Sequence, residues 1–243
     1  MTAMQGEEEL SHATAFVVEV KGYHYLVTNL HVVTGKNQET GEWLPSCSLH
    51  SRPNLLRITW PKFNATLPDT STVRLYDDDL ERLYSGGNGM FEGKYPSRDV
   101  AVIAVPPELM PYTRGRAYHL DASGEVALSI TDTVYIVGYP DNARLQSGAP
   151  PVWTRGSVAS EPNFSRDPLL VDARTRPGQS GSPVIVHRRE FRHVSEGGFV
   201  ESFPDAARLV GVYSGRTTDD SDLGQVWSTE GIIRAITYGS HWN

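Results

Sequence analysis

The feature that most constrains this chain is the shortness of its apolar runs. They are rich in β-branched and aromatic residues and are stopped at close intervals by glycine and proline, of which the 243 residues contain 22 and 16. Branched side chains pack well on a pleated strand and lose rotamer freedom in a helix. Ala13 to Val20 and Tyr23 to Asn29 meet around Lys21-Gly22 and read as a hairpin. Further strands are expected at Leu55 to Trp60, Thr72 to Tyr76, Asp99 to Val105, Thr133 to Val137 and Val152 to Ser160. Leu169 to Asp172, Ser182 to His187, Arg208 to Ser214 and Gln225 to Ser228 complete the set. Only Thr229 to Tyr238, with Ile232, Ile233 and Ile236, has helical spacing. The chain is therefore all-β, a barrel or sandwich with a short terminal helix.

Between the strands, Thr34 to Pro68 reads as long loop around one strand, and Tyr84 to Ser97 and Arg188 to Ala207 as further loops. Ala117 to Ser129 is a plausible joint between two halves, and no linker separates independent domains. We expect a single domain over 1–243. Its halves span about 13–120 and about 121–228, followed by the helix at 229–238.

A charged fraction of 21% against 39% hydrophobic marks a globular chain. The net charge of -7, with no run of basic residues, gives no reason to expect nucleic acid or an anionic membrane as partner. One cysteine, Cys47, excludes an internal disulfide. That count, an N-terminal stretch bearing Glu7, Glu8 and Glu9, and the lack of any long apolar segment predict a cytoplasmic protein.

Three motifs carry chemistry. Thr28-Asn29-Leu30-His31-Val32-Val33 puts a histidine at a strand exit, rigidly held yet open to solvent, as a general base needs. Arg98-Asp99 heads the run Val100 to Val105, where a carboxylate can accept the Nδ1 proton of a histidine. Gly178-Gln179-Ser180-Gly181-Ser182-Pro183 is a tight turn that presents a hydroxyl. It can also aim the Gly178 and Ser180 amides at one point, as an oxyanion hole. Singly, each has an ordinary reading: a surface histidine, a turn-capping aspartate, a Gly/Ser turn. Their order is more selective. His, Asp, Ser is the chymotrypsin order, whereas subtilisin-type enzymes run Asp, His, Ser and α/β-hydrolases run Ser, Asp, His. Gly178 to Ser182 also lacks the final glycine of G-x-S-x-G and leads into a strand rather than a helix.

Together these motifs resemble the three signatures of trypsin-like serine peptidases. They are most similar to the bacterial, disulfide-free branch that includes HtrA-type and glutamyl-endopeptidase-type enzymes. Ala13 to Val18, Val137-Gly138-Tyr139-Pro140, Gly156-Ser157-Val158 and Leu209-Val210-Gly211-Val212 extend the match. The resemblance implies two six-stranded antiparallel β-barrels packed together, with His31 and Asp99 from the first and Ser180 from the second. It implies a serine endopeptidase acting on a protein or peptide through an acyl-enzyme, with no metal or cofactor. A catalytically silent binding or adaptor module on the same fold is the alternative.

By the same resemblance, the specificity pocket is walled by Arg174, Thr175, Tyr213, Ser214, Gly215 and Arg216. The two arginines could pair with an acidic substrate side chain, or could point to solvent. Gln179 stands where trypsin-like zymogens carry an aspartate that pairs with a newly cut N-terminus. A turn ordered by Gln179 hydrogen bonds, or by a regulatory partner acting on an insertion loop such as Arg188 to Ala207, is therefore expected. The stretch from His31 to Asp99 is longer than HtrA-type enzymes need, and no PDZ domain follows the helix.

Overall fold

The computed structural model describes residues 1–61, 69–86, 99–120, 127–141, 150–163, 167–188, 191–194, 200–203, 206–218 and 220–239. In the first lobe, β1 (Thr2–Gln5), β2 (Glu8–His12), β5 (Leu55–Trp60) and β6 (Asp69–Arg74) form a sheet in the order β2-β1-β5-β6. A second sheet, β7-β8-β4-β3-β9, contains β3 (Phe16–Val20), β4 (Tyr23–Thr28), β7 (Ser85–Gly86), β8 (Ala101–Ala104) and β9 (Tyr118–His119). Short helices α1 (Leu30–Thr34) and α2 (Met110–Thr113) leave these strands. The two sheets enclose one core: Leu56, Ile58 and Val73 face Val17, Leu26 and Ile103, and Trp60 stacks on Tyr112 at 5.5 Å between ring centres.

The second lobe closes on itself. Its strands β10 (Thr133–Gly138), β11 (Val152–Val158), β12 (Leu169–Ala173), β13 (Pro183–Arg188), β16 (Ala206–Arg216) and β17 (Leu223–Ser228) form a barrel in the order β10-β11-β12-β17-β16-β13. Its interior is filled by Val134, Ile136, Leu169, Val171, Val184, Val210 and Val226. Two further strands, β14 (Phe191–Val194) and β15 (Val200–Phe203), pair as an antiparallel hairpin within 188–207, where the sequence reading expects loop. The described parts of that insertion satisfy their backbone groups by pairing with each other.

The lobes meet across a third apolar cluster, and strand periodicity explains it. Side chains alternate between faces along a strand. Val17, Leu26, Ala101 and Ile103 fill the first-lobe core, while their neighbours Val18, Val27, Val100 and Val102 point the other way. There they pack on Val137, Ile185, Leu209, Val212 and Trp227 of the second lobe. Both faces of β8 are thus buried, which is why Val100 to Ile103 reads as an unbroken apolar run. The terminal helix α3 (Thr229–Gly239) caps this cluster with Ile232, Ala235 and Ile236, whereas Ile233, also expected on the apolar face, is 41% exposed. Each fully buried Val or Ile contributes roughly 1.5–3 kcal/mol, so the cluster holds the two lobes in fixed relation across the cleft. No described helix is long and apolar enough to cross a membrane.

The strand assignments at Leu55–Trp60, Tyr23–Thr28, Thr133–Gly138 and Leu223–Ser228 agree with expectation to within two residues. The hairpin β1–β2 was not anticipated, because Glu8 and Glu9 are poor strand formers; both are exposed, and the turn runs through Gly6 at φ 56°. The expected loop residues 87–97 and the middle of the expected joint, 121–126, lie outside the described residues.

Candidate active site

His31 sits in α1, a single turn that leaves β4 at Asn29 and is stopped by Gly35 in the left-handed region at φ 71°. Leu30, Val32 and Val33 are buried, which fixes the turn and leaves His31 facing the cleft with its side chain 20% exposed. Asp99 lies just ahead of β8 and is 6% exposed. The Asn29 side-chain amide donates to the Asp99 carbonyl at 2.7 Å, tying the two motifs together.

The Asp99 carboxylate receives three donors. His31 gives its backbone N–H to Oδ1 at 2.8 Å and its Nδ1 proton to Oδ2 at 2.6 Å, and the Ser214 hydroxyl donates to Oδ2 at 2.5 Å. Burial alone would raise the Asp99 pKa, but the neighbouring His31 charge and these hydrogen bonds outweigh it and hold the group below its ordinary value. Burial likewise opposes the imidazolium, yet the charge and hydrogen bond of Asp99 raise the His31 pKa above the usual histidine value. An ionised carboxylate only accepts hydrogen bonds, so the His31 proton sits on Nδ1 and Nε2 is the basic atom.

The Ser180 turn is held by its carbonyls. Pro177 O accepts from Asp141 N at 2.9 Å, Gly178 O from Thr14 Oγ1 at 2.9 Å, Gln179 O from Ser182 N at 3.0 Å and Ser180 O from Thr14 N at 2.8 Å. Two amides along the same stretch, Gly178 N–H and Ser180 N–H, have no acceptor among the described residues. Gly178 holds φ 91°, and a Cβ there would meet Tyr139 O at 2.6 Å, so no other residue fits. The Gln179 side chain is 1% exposed; it accepts from Arg176 N and donates to Thr154 Oγ1, both at 2.8 Å. A neutral side chain thus braces this turn from inside the barrel.

Ser214 connects the two halves of the site. Its hydroxyl holds Asp99, and its carbonyl accepts the Ser180 hydroxyl at 3.0 Å. The structure therefore brings His31, Asp99 and Ser214 into direct contact and joins Ser180 to them through Ser214. In this conformation Ser180 makes no hydrogen bond to His31.

A cavity of about 300 Å³ opens beside His31 and Asp99, lined on the second-lobe side by Ser214, Gly215, Arg216, Gln225 and Trp227. Gln38, Glu39 and Leu44 line it from the first lobe, and Gln225 donates to Glu39 at 3.2 Å across it. Of the residues expected to bind substrate, Ser214, Gly215 and Arg216 border this cavity. Thr175 and Tyr213 are buried beneath, their hydroxyls 2.5 Å apart. The Tyr213 ring runs up to Gly224, where any Cβ would collide with it. Arg174, exposed in the stretch that follows β12, does not line this cavity. Among the described residues no three His, Cys, Asp or Glu side chains converge as a metal ion needs.

Sequence reasoning missed the Ser214 hydroxyl as the third donor to Asp99, and missed Thr14 altogether. Two glycines hint at Thr14: a Cβ on Gly181 would run into its carbonyl, and one on Gly138 would lie 2.9 Å from its Oγ1.

The family model described as the trypsin-like peptidase domain matches residues 13–191. Among solved structures, the chain is similar to the serine endoprotease from Yersinia pestis. The TM-score is 0.50 and the identity 14%, over 97% of this chain and 60% of that one. It is also similar to the Rv3671c protease from M. tuberculosis in its active form, with a TM-score of 0.49 and 16% identity over 98% of this chain and 78% of that one. At such identities the likeness is one of fold. Among curated proteins, none matches this chain.

Proposed function

The chain belongs to the trypsin-like peptidase family, and from that premise we propose that it is a serine endopeptidase with His31, Asp99 and Ser180 as its triad. One observation carries this reading. A buried carboxylate orients a histidine with Nε2 left basic, and Ser214 couples that pair to a serine turn whose Gly178 and Ser180 amides have no acceptor among the described residues.

In the proposed reaction the Ser180 hydroxyl leaves Ser214 O and gives its proton to His31 Nε2 as Oγ attacks the scissile carbonyl. The carbonyl oxygen, now negative, accepts from the Gly178 and Ser180 amides, which give up no other acceptor among the described residues to receive it. His31 then protonates the leaving amine, and a water activated the same way hydrolyses the acyl-enzyme. Asp99 stays ionised throughout, as its depressed pKa favours. Catalytic hydrogen bonds are often formed only once substrate is bound.

The Tyr213 ring between Thr175 and Gly224 favours a small side chain immediately before the scissile bond. Arg216 borders the cavity and is better placed for an acidic side chain further upstream. The Ser180 bond to Ser214 O is what favours the other reading, a silent binding module. A fluorophosphonate probe separates the two. We expect wild-type protein to be labelled at Ser180, and Ser180→Ala to fold normally, take no label and lose about 10⁴–10⁶ in kcat. An unlabelled, inert wild type means the adaptor reading is correct.

A further inference from the structure

We infer that Thr14, a first-lobe residue with no part in the triad, is a positioning residue that sets the oxyanion hole; the inference rests on the peptidase reading above. Thr14 lies just ahead of β3 and is 2% exposed. It holds two of the four anchored carbonyls of the Ser180 turn, Ser180 O with its backbone N–H at 2.8 Å and Gly178 O with its hydroxyl at 2.9 Å.

The direction of that hydroxyl is forced. Tyr139 N–H donates to Thr14 Oγ1 at 3.0 Å, which takes up a lone pair and sends the Oγ1 proton to Gly178 O. Thr14 is itself pinned, because Thr28 Oγ1 donates to its carbonyl at 3.0 Å. A relay thus runs from the Tyr139 amide through the Thr14 hydroxyl to the Gly178 carbonyl, and each link polarises the next. Fixing the Gly178 carbonyl fixes the plane of the 178–179 peptide. That peptide is the link between the 177–178 and 179–180 peptides, which carry the Gly178 and Ser180 N–H groups, so its plane sets how the two amides sit relative to each other, and the Thr14 N–H on Ser180 O holds the far side of the second one.

Among the described residues no other donor replaces this hydroxyl. Gln179 N bonds Arg176 O at 3.2 Å, and Asp141 N is already occupied by Pro177 O. If Gly178 O loses its donor, it is a buried orphan whose peptide lowers its energy by turning, and with φ 91° at a residue lacking Cβ that rotation meets little steric resistance. A turned 178–179 peptide changes the backbone angles at Gly178 and Gln179 and so shifts the Gly178 and Ser180 amides relative to each other, while leaving the triad side chains and the cavity in place. The effect is therefore on the transition state, not on ground-state binding.

The test compares Thr14→Val, which keeps the shape and deletes the donor, with Thr14→Ser, which keeps the donor. Three quantities are measured on the full chain: the rate of fluorophosphonate labelling at Ser180, kcat and KM on a peptide the wild type cleaves, and Ki for a peptidyl aldehyde. The aldehyde's hemiacetal oxygen occupies the oxyanion position. For Thr14→Val we expect labelling and kcat to fall about 10²–10³-fold, the aldehyde to weaken by a similar factor, and KM to stay within about threefold. Thr14→Ser should lie within about tenfold of wild type. Should the Val variant fail to fold, Thr14→Cys, with its weaker and longer donor, is expected to show an intermediate kcat loss at unchanged KM under reducing conditions. Full activity in the Val variant, a loss confined to KM, or a Ser variant as impaired as the Val variant overturns the inference while leaving the peptidase reading intact. A wild type that takes no label overturns both.

Discussion

Replacing Asp99 with Asn is the most searching perturbation of the triad, because the structure dictates how the amide must sit. Asp99 accepts at both oxygens: Oδ1 from the His31 backbone N–H, Oδ2 from His31 Nδ1 and from Ser214. An Asn offers one acceptor and one donor group. With its NH₂ at the Oδ1 position it would confront a backbone N–H that cannot reverse polarity. The NH₂ therefore goes to the Oδ2 position, where the imidazole can respond by moving its proton from Nδ1 to Nε2 and the Ser214 hydroxyl can turn to accept. That tautomer has no lone pair to take the Ser180 proton. The expected cost is about 10⁴ in kcat near neutral pH, equivalent to roughly 5.5 kcal/mol of barrier.

The pH dependence supplies a second signature. In the wild type kcat/KM should fall as pH drops through the His31 pKa, which Asp99 holds above the ordinary histidine value. Without the carboxylate only burial remains, and burial lowers that pKa, so the acid limb should move to lower pH even as the plateau collapses. Stability follows the same groups with opposite signs. The His31 contribution is fully present below its unfolded pKa of 6.5 and is lost as pH rises through the higher folded value. The Asp99 contribution is present above 3.8 and is lost as pH falls through its lowered folded value. In the Asn variant the Asp99 dependence should vanish and the His31 dependence should reverse, stability now being lost as pH falls below 6.5. Kinetics from about pH 5 to pH 10 with parallel thermal melts would measure all of this. The reasoning is refuted if the Asn variant is silent while a change among Asp77, Asp78 or Asp79 is severe. The structure argues against that outcome, since Asp77 accepts the Asp79 and Glu81 amides in a turn and Asp78 pairs with Arg74.

Two further substitutions probe the neighbours of the triad. Ser214→Ala removes one donor from Asp99 but keeps the carbonyl that holds Ser180, so kcat should drop about ten- to a hundredfold, the worth of a hydrogen bond to a charged group. Steady-state kinetics decide it, and a loss as large as that of Asp99→Asn would mean Ser214 does more than orient the acid. Tyr213→Ala should empty the space between Thr175 and Gly224 and raise kcat/KM for Leu or Phe before the scissile bond at least tenfold relative to Ala there. A core truncation of this size costs about 3–5 kcal/mol of stability. A peptide panel on the variant checks the first, and an unchanged ranking would remove Tyr213 from the specificity pocket.

The strands and the three motifs were legible because their signals are local. Val100 to Val105 announces a doubly buried strand by composition alone, and the Gly178 to Pro183 turn shows its glycines within six residues. The one-turn helix bearing His31 was too short for any period to appear, and β1–β2 was hidden because β2 opens with the exposed Glu8 and Glu9. The acidic-substrate idea came from the resemblance, which puts Arg174 and Arg216 on the pocket wall; of the two, Arg216 borders the cavity and Arg174 does not.

What no local pattern could reveal is the bracing of one lobe by the other. Thr14 reaches Gly178 across 164 residues of chain, and Ser214 reaches Asp99 across 115. Neither contact follows from a period of two or of 3.6, and both residues look like unremarkable polar positions at strand ends. Their traces lie in the glycines. Gly138 and Gly181 read in sequence as turn formers, but the space each leaves is taken by Thr14 and its neighbours. A glycine kept for clearance differs from one kept for φ only in what stands opposite its missing Cβ. At Gly181 both reasons apply, φ 82° and the Thr14 carbonyl. At Gly138, whose φ is not in the left-handed region, only clearance does. The strand ahead of Tyr139 therefore ends in a residue without a side chain because Ser182 Oγ, and behind it Thr14 Oγ1, already fill the space a Cβ would take.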